Sequence, residues 1–215
     1  MSARQAASAW RSAAGFVLVV ALAVSACPGF ARAAAGGASE PIRQFYGVLL
    51  GNMQNGAALG PKGRFEKLRP VVEQTFDLQY MTRLVVGPAW SGISDAERQR
   101  ATTAFGRYVA ATYADSFDRY SGQKLQVTGE QPRASGVIVD SRIVKADGTP
   151  VTIRYLMHDG GGAWRVADIY LSGTISQIAV RRSEFSQIIG QQGVPGLIHM
   201  LEQKVETLTA AAAAK

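Results

Sequence analysis

Apolar residues recur at every third or fourth position between residues 41 and 86, which is the spacing of helices that bury one face. The pattern predicts a helix from Pro41 to Met53, a helical segment from Phe65 to Leu78 and a short helix from Tyr80 to Val86. The glycines and proline between Asn55 and Gly63 predict a break after the first helix. Pro70 predicts a kink or a second break, because proline lacks the N–H that an interior helical position donates.

The next helix has the clearest start signal in the chain. Ser94 and Glu97 stand three residues apart in the pattern of a capping box, so the helix is expected to begin at about Ala96. It is expected to run to about Arg119, where Ser121-Gly122 ends it. One side carries a wide apolar and aromatic stripe: Phe105, Tyr108, Val109, Thr112, Tyr113, Ser116, Phe117 and Tyr120.

After residue 124 the apolar period changes from about 3.6 to 2, which indicates strands. The alternating runs are Leu125–Val127, Gly136–Val144, Val151–His158 and Trp164–Leu171. Asp159–Gly162 is typical of a hairpin connection. Four sequential strands joined by short turns predict an antiparallel meander.

Two helices are predicted to follow the sheet, Thr174–Ile189 and Val194 to about Leu208, with Gly193 and Pro195 marking the break between them. Helices, then an antiparallel sheet, then helices define an α+β fold class. We therefore expect a curved four-stranded antiparallel sheet packed with N- and C-terminal helices. Such a sheet wrapped by aromatic-bearing helices could enclose a hollow, although solid packing is the commoner outcome of these patterns.

The N-terminal segment has the pattern of an export signal. Arg4 and Arg11 precede the uncharged stretch Ala13–Ala26, which as a helix spans about 21 Å against roughly 30 Å of bilayer hydrocarbon. That length suits the apolar core of a signal peptide, and Ala31-Arg32-Ala33 offers a small-x-small cleavage site. The expected organisation is a signal peptide at 1–33, a single domain at 34–208 and a flexible tail at 209–215, with the mature protein exported.

An alternative N-terminal processing stays open. Val24–Cys27 resembles a lipobox, in which Cys27 would be lipidated and held at a membrane face, although Pro28 follows the cysteine directly. A lipoprotein of this kind could act as an adaptor that binds partner proteins through Arg181-Arg182. A solvated helix face is the plainer interpretation of that arginine pair.

Composition and charge exclude several protein classes. The chain is 47% hydrophobic and 18% charged, which excludes disorder as the main state. Its single cysteine cannot form an internal disulfide. Residues 1–33 hold three arginines and no acid, so the mature part would carry 20 basic and 16 acidic residues, a net +4. This mild excess, without a long basic run, does not predict a nucleic-acid partner.

Catalytic and metal-binding patterns are weak. The sequence has no nucleophile elbow, phosphate-binding loop or zinc-protease motif, and we predict no cofactor. His158 and His199 do not lie in a cluster with metal-ligand spacing, so no metal is predicted. Asp168 alternates with large apolar residues and could be a general base with a raised pKa in an enzyme acting on a lipid or polycyclic substrate. The plainer interpretation pairs it with Arg154 or Arg142 on neighbouring strands.

Several segments, taken in order, resemble one known family. They are Phe76-Asp77-Leu78 with Met81, Trp90, Ser94–Gln99, Tyr113–Gln123, Trp164–Ile169 and Gly193–Ile198. Together they are similar to the MlaC (toluene-tolerance) family of periplasmic phospholipid-binding proteins, over roughly residues 40 to 207. The segment Gly173–Phe185, with its paired arginines, looks closest to HpnM, the hopanoid-associated branch of that family.

The resemblance implies a non-enzymatic lipid carrier in the periplasm. Its α+β body would enclose an apolar lipid pocket, and it would use no metal or organic cofactor. It would shuttle phospholipid, or a hopanoid, between an inner-membrane ABC transporter or MCE-type complex and an outer-membrane lipoprotein complex. This would connect it with outer-membrane lipid asymmetry.

The apolar pattern supplies candidates for the pocket wall. All are large or branched apolar residues on the predicted inward faces of helices and strands. They are Phe76, Leu84, Trp90, Tyr108, Val109, Tyr113, Phe117, Val139, Ile153, Tyr155, Trp164, Val166 and Ile169.

Overall fold

The computed structural model describes residues 37–210. Its elements are α1 (Glu40–Gln54), α2 (Gly56–Thr75), α3 (Leu78–Val86), a 3-10 turn (Gly87–Gly92), α4 (Asp95–Ser116), β1 (Lys124–Arg133), β2 (Gly136–Val144), β3 (Pro150–Asp159), β4 (Trp164–Leu171), β5 (Ile175–Ser176) and α5 (Gln177–Thr209). The predicted α+β class is confirmed. The predicted signal peptide, Cys27 and most of the predicted tail lie outside the described residues.

The strands form one antiparallel meander in the order β1-β2-β3-β4-β5. The predicted count of four strands is wrong by one. Ser172 and Gly173 have positive φ and turn the chain back, so that Leu171 pairs with Ile175 and Tyr170 with Ser176. Two residues are too few to show an alternating pattern, which explains why the helix expected at Thr174 begins instead at Gln177.

The start of α4 agrees with the capping-box prediction. The Ser94 hydroxyl accepts a hydrogen bond from the Glu97 N–H, and the Glu97 carboxylate accepts one from the Ser94 N–H at 3.0 Å. The helix ends at Ser116 rather than at Arg119, because Phe117 leaves the helical region of backbone space and stacks its ring on Tyr113. This early end directs the following segment toward β1.

The proline and glycine signals in α2 and α5 have different outcomes. The break predicted over Asn55–Gly63 is present but short: Asn55 leaves helical geometry between α1 and α2, and Gly60 is a second non-helical residue with helical turns on both sides. Pro70 does not break the helix, because it lies on the exposed face, where the carbonyl it leaves unbonded faces water. In α5 the predicted break is present, since Gly193 has a non-helical backbone two residues before Pro195.

The core lies between the helices and the inner face of the sheet. Phe45 and Phe76 are fully buried and meet edge to face, with ring centroids 5.4 Å apart. Phe76 also joins the sheet, because its backbone bridges to Val166 and the next N–H, of Asp77, donates to the Val166 carbonyl. These contacts fix the helical layer to the sheet at Val166 of β4.

Candidate functional site

A half-open cavity of about 400 Å³ lies between α4, the beginning of α5 and the inner face of the sheet. Its wall is mainly apolar, with a few hydroxyl and amide groups and one guanidinium. The wall residues are Met81, Phe105, Tyr108, Val109, Thr112, Tyr113, Ser116, Phe117, Ile143, Val151, Ile153, Ile169, Leu171, Gln177, Ile178 and Arg181. This volume falls within the range of small-molecule sites in proteins, about 300–1,000 Å³.

One face of α4 forms the helical side of the wall. The wall residues from Phe105 to Phe117 recur at spacings of three and four, so they lie along one side of the helix. The opposite side carries the buried residues Ala110, Ala111 and Ala114, whose small side chains let neighbouring elements approach closely. The predicted stripe of α4 therefore includes the whole helical wall, together with Tyr120, which is exposed.

One end of the sheet forms the opposite side of the wall. Ile143 pairs with Val151 across β2 and β3, and Ile153 pairs with Leu171 across β3 and β4. Directly paired side chains share a face of the sheet, so these four residues make a continuous apolar floor. At the other end of the same face, Val139 and Tyr155 are a registered pair that is fully buried in the solid core.

Aromatic rings close the inner end of the cavity. Tyr113 is on the wall, and the ring of Phe45 stands behind it with a centroid distance of 5.0 Å and an edge-to-face orientation. Phe76 lies 6.0 Å from Tyr113 and Phe117 lies 5.9 Å from it on the cavity side. Burial raises the pKa of the Tyr113 phenol, so this end of the cavity stays uncharged across the physiological range.

Buried hydroxyls behind the cavity are satisfied by one another. The Tyr46 and Ser141 hydroxyls are 2.8 Å apart, those of Tyr46 and Tyr155 are 3.2 Å apart, and Ser141 donates to the Ile153 carbonyl. Burial is the main reason that the pKa values of Tyr46 and Tyr155 are raised. The network fixes α1 against β2 and β3 without placing a charge next to the cavity.

Polar groups and partly exposed residues mark the mouth. The Arg181 side chain is 29% exposed, and Leu171 is 38% exposed. The Arg181 guanidinium lies over the ring of Tyr108, 5.5 Å from its centroid, and its Nη1 donates to Glu184 Oε2 at 2.6 Å. A charged group that is still in contact with water therefore borders an apolar interior.

The predicted wall residues divide into three groups. Tyr108, Val109, Tyr113, Phe117, Ile153 and Ile169 line the cavity. Phe76, Val139, Tyr155 and Val166 are buried in the solid core beside it. Leu84, Trp90 and Trp164 pack against the core away from this wall, and Trp164 borders a separate surface groove of about 350 Å³ with Glu40 and Gln44. The cavity thus occupies only part of the inward-facing surface that the apolar pattern of the sequence predicts.

Ten wall residues were not among the predicted candidates: Met81, Phe105, Thr112, Ser116, Ile143, Val151, Leu171, Gln177, Ile178 and Arg181. Spacing could have found several of them. Ile143 and Val151 continue the inward alternation of their strands, and Thr112 follows Tyr108 by one helical turn. Gln177 and Arg181 carry no apolar signal, and only the position of α5 over the sheet brings them to the mouth.

Asp168 has a structural position. It is 8% exposed, is not on the cavity wall, and accepts hydrogen bonds from the Ser176 hydroxyl at 2.6 Å and from the Ile169 and Ile178 N–H groups. It therefore ties β4 to the start of α5. The predicted pairing with Arg154 or Arg142 is wrong: Arg154 pairs with Asp140, with Nε 2.9 Å from Oδ1, and Arg142 Nε donates to Gln126 Oε1.

Among residues 37–210 no group of three or more potential metal ligands comes together. His158 instead packs its ring edge to face against Tyr80, with centroids 4.9 Å apart. None of the helices in this part of the chain combines the length and the apolar character needed to cross a membrane.

The family of the chain follows from comparison with known proteins. The model of the family described as MlaC protein matches residues 45–203, which is most of the chain. The chain belongs to the MlaC family. This MlaC-family chain is 26% identical over 132 residues to the intermembrane phospholipid transport system binding protein MlaC of Haemophilus influenzae. The aligned region covers 59% of this chain and spans 61% of that relative's length.

A solved structure shares the fold. A phospholipid-binding protein from Ralstonia solanacearum, determined in complex with a phospholipid, matches with a TM-score of 0.67 and 22% sequence identity. The match covers 81% of the MlaC-family chain and 100% of the other. The α+β architecture described above is therefore shared with a protein of known structure.

Proposed function

We propose that this protein is an exported, non-enzymatic carrier that holds the apolar chains of a lipid in the cavity between α4, α5 and the sheet. The observation that carries the proposal is the cavity itself, with apolar walls on two sides and a polar, partly exposed mouth. Membership of the MlaC family supports it. Two similar proteins also support it: the Haemophilus relative is the binding protein of a phospholipid transport system, and the Ralstonia protein binds a phospholipid.

Burial of methylene groups supplies the driving force for loading. Each methylene moved from water into the cavity contributes about 0.8 kcal/mol. The wall offers such groups branched aliphatic and aromatic side chains, and the Thr112 hydroxyl on the wall is satisfied within α4, since it donates to the Tyr108 carbonyl. The neutral phenols at the inner end impose no charge on the buried chain.

Transport requires exchange partners and a compartment. We propose a periplasmic location after removal of residues 1–33. The proposed partners are an inner-membrane ABC transporter or MCE-type complex and an outer-membrane lipoprotein complex, as the family resemblance implies.

The ligand we propose is a phospholipid. A hopanoid is the second candidate, supported by the likeness of Gly173–Phe185 to the hopanoid-associated branch. The mass of the mature N-terminus tests processing, since lipidation at Cys27 would leave a different first residue.

Filling the cavity tests the proposal. Val109 is on the wall at the middle of α4, and Val109→Trp would place an indole where the proposed chain lies. Loss of about three buried methylenes from the ligand would weaken binding by about 2.4 kcal/mol, or roughly fiftyfold. Thr103→Trp is the matched control, because Thr103 lies on the exposed side of the same helix.

Lipid content after equilibration with phospholipid vesicles is measured by native mass spectrometry for both variants and for the unchanged protein. We expect Val109→Trp to be mostly empty and Thr103→Trp to be loaded, with both folded by circular dichroism. Equal loading of a folded Val109→Trp variant and the control would refute this cavity as the binding site.

A further inference from the structure

Arg181 is the one charged side chain on the cavity wall in the described part of the chain. It follows Ile178 by one turn of α5, and Phe185 follows it by another, so these three share the inward side of the helix. Ile178 and Phe185 are both buried, at 7% and 3% exposure. The guanidinium therefore lies above an apolar surface, and the Arg181 side chain is still 29% exposed at the mouth.

The guanidinium is held in one orientation but keeps donors for a ligand. Tyr108 supports one face of the planar group, and Glu184 accepts from Nη1. Within residues 37–210, Nε and Nη2 donate no hydrogen bond. An arginine with two parallel N–H donors left over has the geometry that recognises a phosphate in a bidentate manner.

The neighbouring Arg182 differs in each of these respects. Its side chain is exposed, is absent from the cavity wall, and lies near Gly87 at the end of α3. The two adjacent arginines thus have the same charge but lie on different sides of the helix. This makes Arg182 a natural control for any effect of net charge.

We propose that Arg181 binds the phosphate of a lipid headgroup at the mouth, so that a lipid with a phosphate binds more tightly than a neutral lipid with the same apolar chains. The inference rests on the proposed function, because it requires apolar chains to occupy the cavity below. Binding of the chains and binding of the phosphate would act together: the cavity fixes the depth of the lipid, and Arg181 fixes the position of its headgroup.

The test compares lipids with and without a phosphate-bearing headgroup. Dioleoylphosphatidylglycerol and dioleoylglycerol carry the same chains, and glycerol phosphate carries the phosphate without chains. Dissociation constants are measured in one buffer of low ionic strength for the unchanged protein, Arg181→Gln and Arg182→Gln. Glutamine keeps a polar side chain of similar length, and thermal melts check that the variants are folded.

We expect the unchanged protein to bind the phosphatidylglycerol about tenfold more tightly than the diacylglycerol, the effect of a charge-assisted hydrogen-bonded pair at a partly exposed site. Arg181→Gln should lose that preference and keep its affinity for the diacylglycerol. Arg182→Gln should behave like the unchanged protein. Glycerol phosphate should bind at least a hundredfold more weakly than the lipid, because it buries no methylene.

Each contrary result overturns a distinct statement. An Arg181→Gln variant that keeps the tenfold preference, or an Arg182→Gln variant that loses it equally, overturns the assignment of Arg181 while the carrier function stands. Glycerol phosphate binding as tightly as the lipid, in an Arg181-dependent manner, would make this a free-phosphate site and overturn the lipid assignment. Binding of neither lipid by the unchanged protein would overturn the inference and the proposed function together.

Discussion

Gly56 is a position where a single added methyl group is expected to disturb the scaffold around the cavity. It begins α2, is buried, and faces the segment that follows α4. A Cβ built on Gly56 would overlap the Asp118 carbonyl oxygen and lie 2.9 Å from its carbon. Because the obstacle is backbone rather than a movable side chain, α2 and the end of α4 would have to separate.

A second interaction is lost in the same place. The buried Arg64 side chain donates from Nη1 to the Gly56 carbonyl at 3.0 Å and from Nε to the Ala114 carbonyl at 2.9 Å, near the end of α4. Displacing Gly56 weakens the first of these bonds. Overpacking costs about 1–3 kcal/mol and a strained hydrogen bond to a buried charge about 1–3 kcal/mol, so we expect Gly56→Ala to destabilise the fold by roughly 3 kcal/mol.

Thermal unfolding measures the effect. For a domain of this size, 3 kcal/mol lowers Tm by about 6–12 °C. Gly51→Ala is the control, because Gly51 lies in α1 and a Cβ there has no neighbour within 4 Å. That change should raise Tm by about 1–4 °C through helix propensity alone. If Gly56→Ala melts at the same temperature as the unchanged protein, the close approach of α2 and the end of α4 is wrong.

Two further predictions concern carboxylates. Asp168→Asn removes one hydrogen-bond acceptor from the junction of β4 and α5 and should destabilise the fold by about 1–3 kcal/mol. The Tm should fall, and lipid binding should be retained below the transition. An unchanged Tm with lost lipid binding would contradict the structural role of Asp168. Hydrogen bonds from Ser39, the side chain foremost, lower the pKa of Glu130 from its ordinary value of 4.5. Because the folded-state pKa is the lower one, its stabilisation is complete well above pH 4.5 and disappears as the pH falls through the lowered pKa. The Tm difference between the unchanged protein and Glu130→Gln should therefore shrink on acidification below pH 4.5, and a constant difference would refute the assignment.

Local signals were sufficient for most elements. The Ser94–Glu97 capping box and the alternation of β2 to β4 depend on neighbours a few residues away, and the structure agrees with both. The errors arise where tertiary packing decides. The chain returns to helix directly after Asn55, where Gly56 packs against the Asp118 backbone that follows α4, and β5 forms where a turn of positive φ returns two residues to the sheet edge.

The cavity itself could be predicted only in part. Periodicity identifies the inward faces of α4 and the strands. It does not distinguish Ile153 from Tyr155, which lie on the same face of β3 but in different surroundings. Ile153 borders the cavity, whereas Tyr155 lies below α1 and is bound to Tyr46. Which end of the sheet stays hollow depends on where α1 packs and α5 crosses, and no local pattern encodes that. Arg181 could not be predicted as a wall residue for the same reason, because only the position of α5 over the sheet brings it to the mouth.

The central claim is that the cavity holds a lipid, and native mass spectrometry of the mature protein isolated from its own cells tests it most directly. We expect a complex of one protein with one lipid. Organic extraction should release a phospholipid, and the remaining protein should then have the mass of the polypeptide without a ligand. A protein that is isolated empty and stays empty after incubation with phospholipid vesicles would contradict the account.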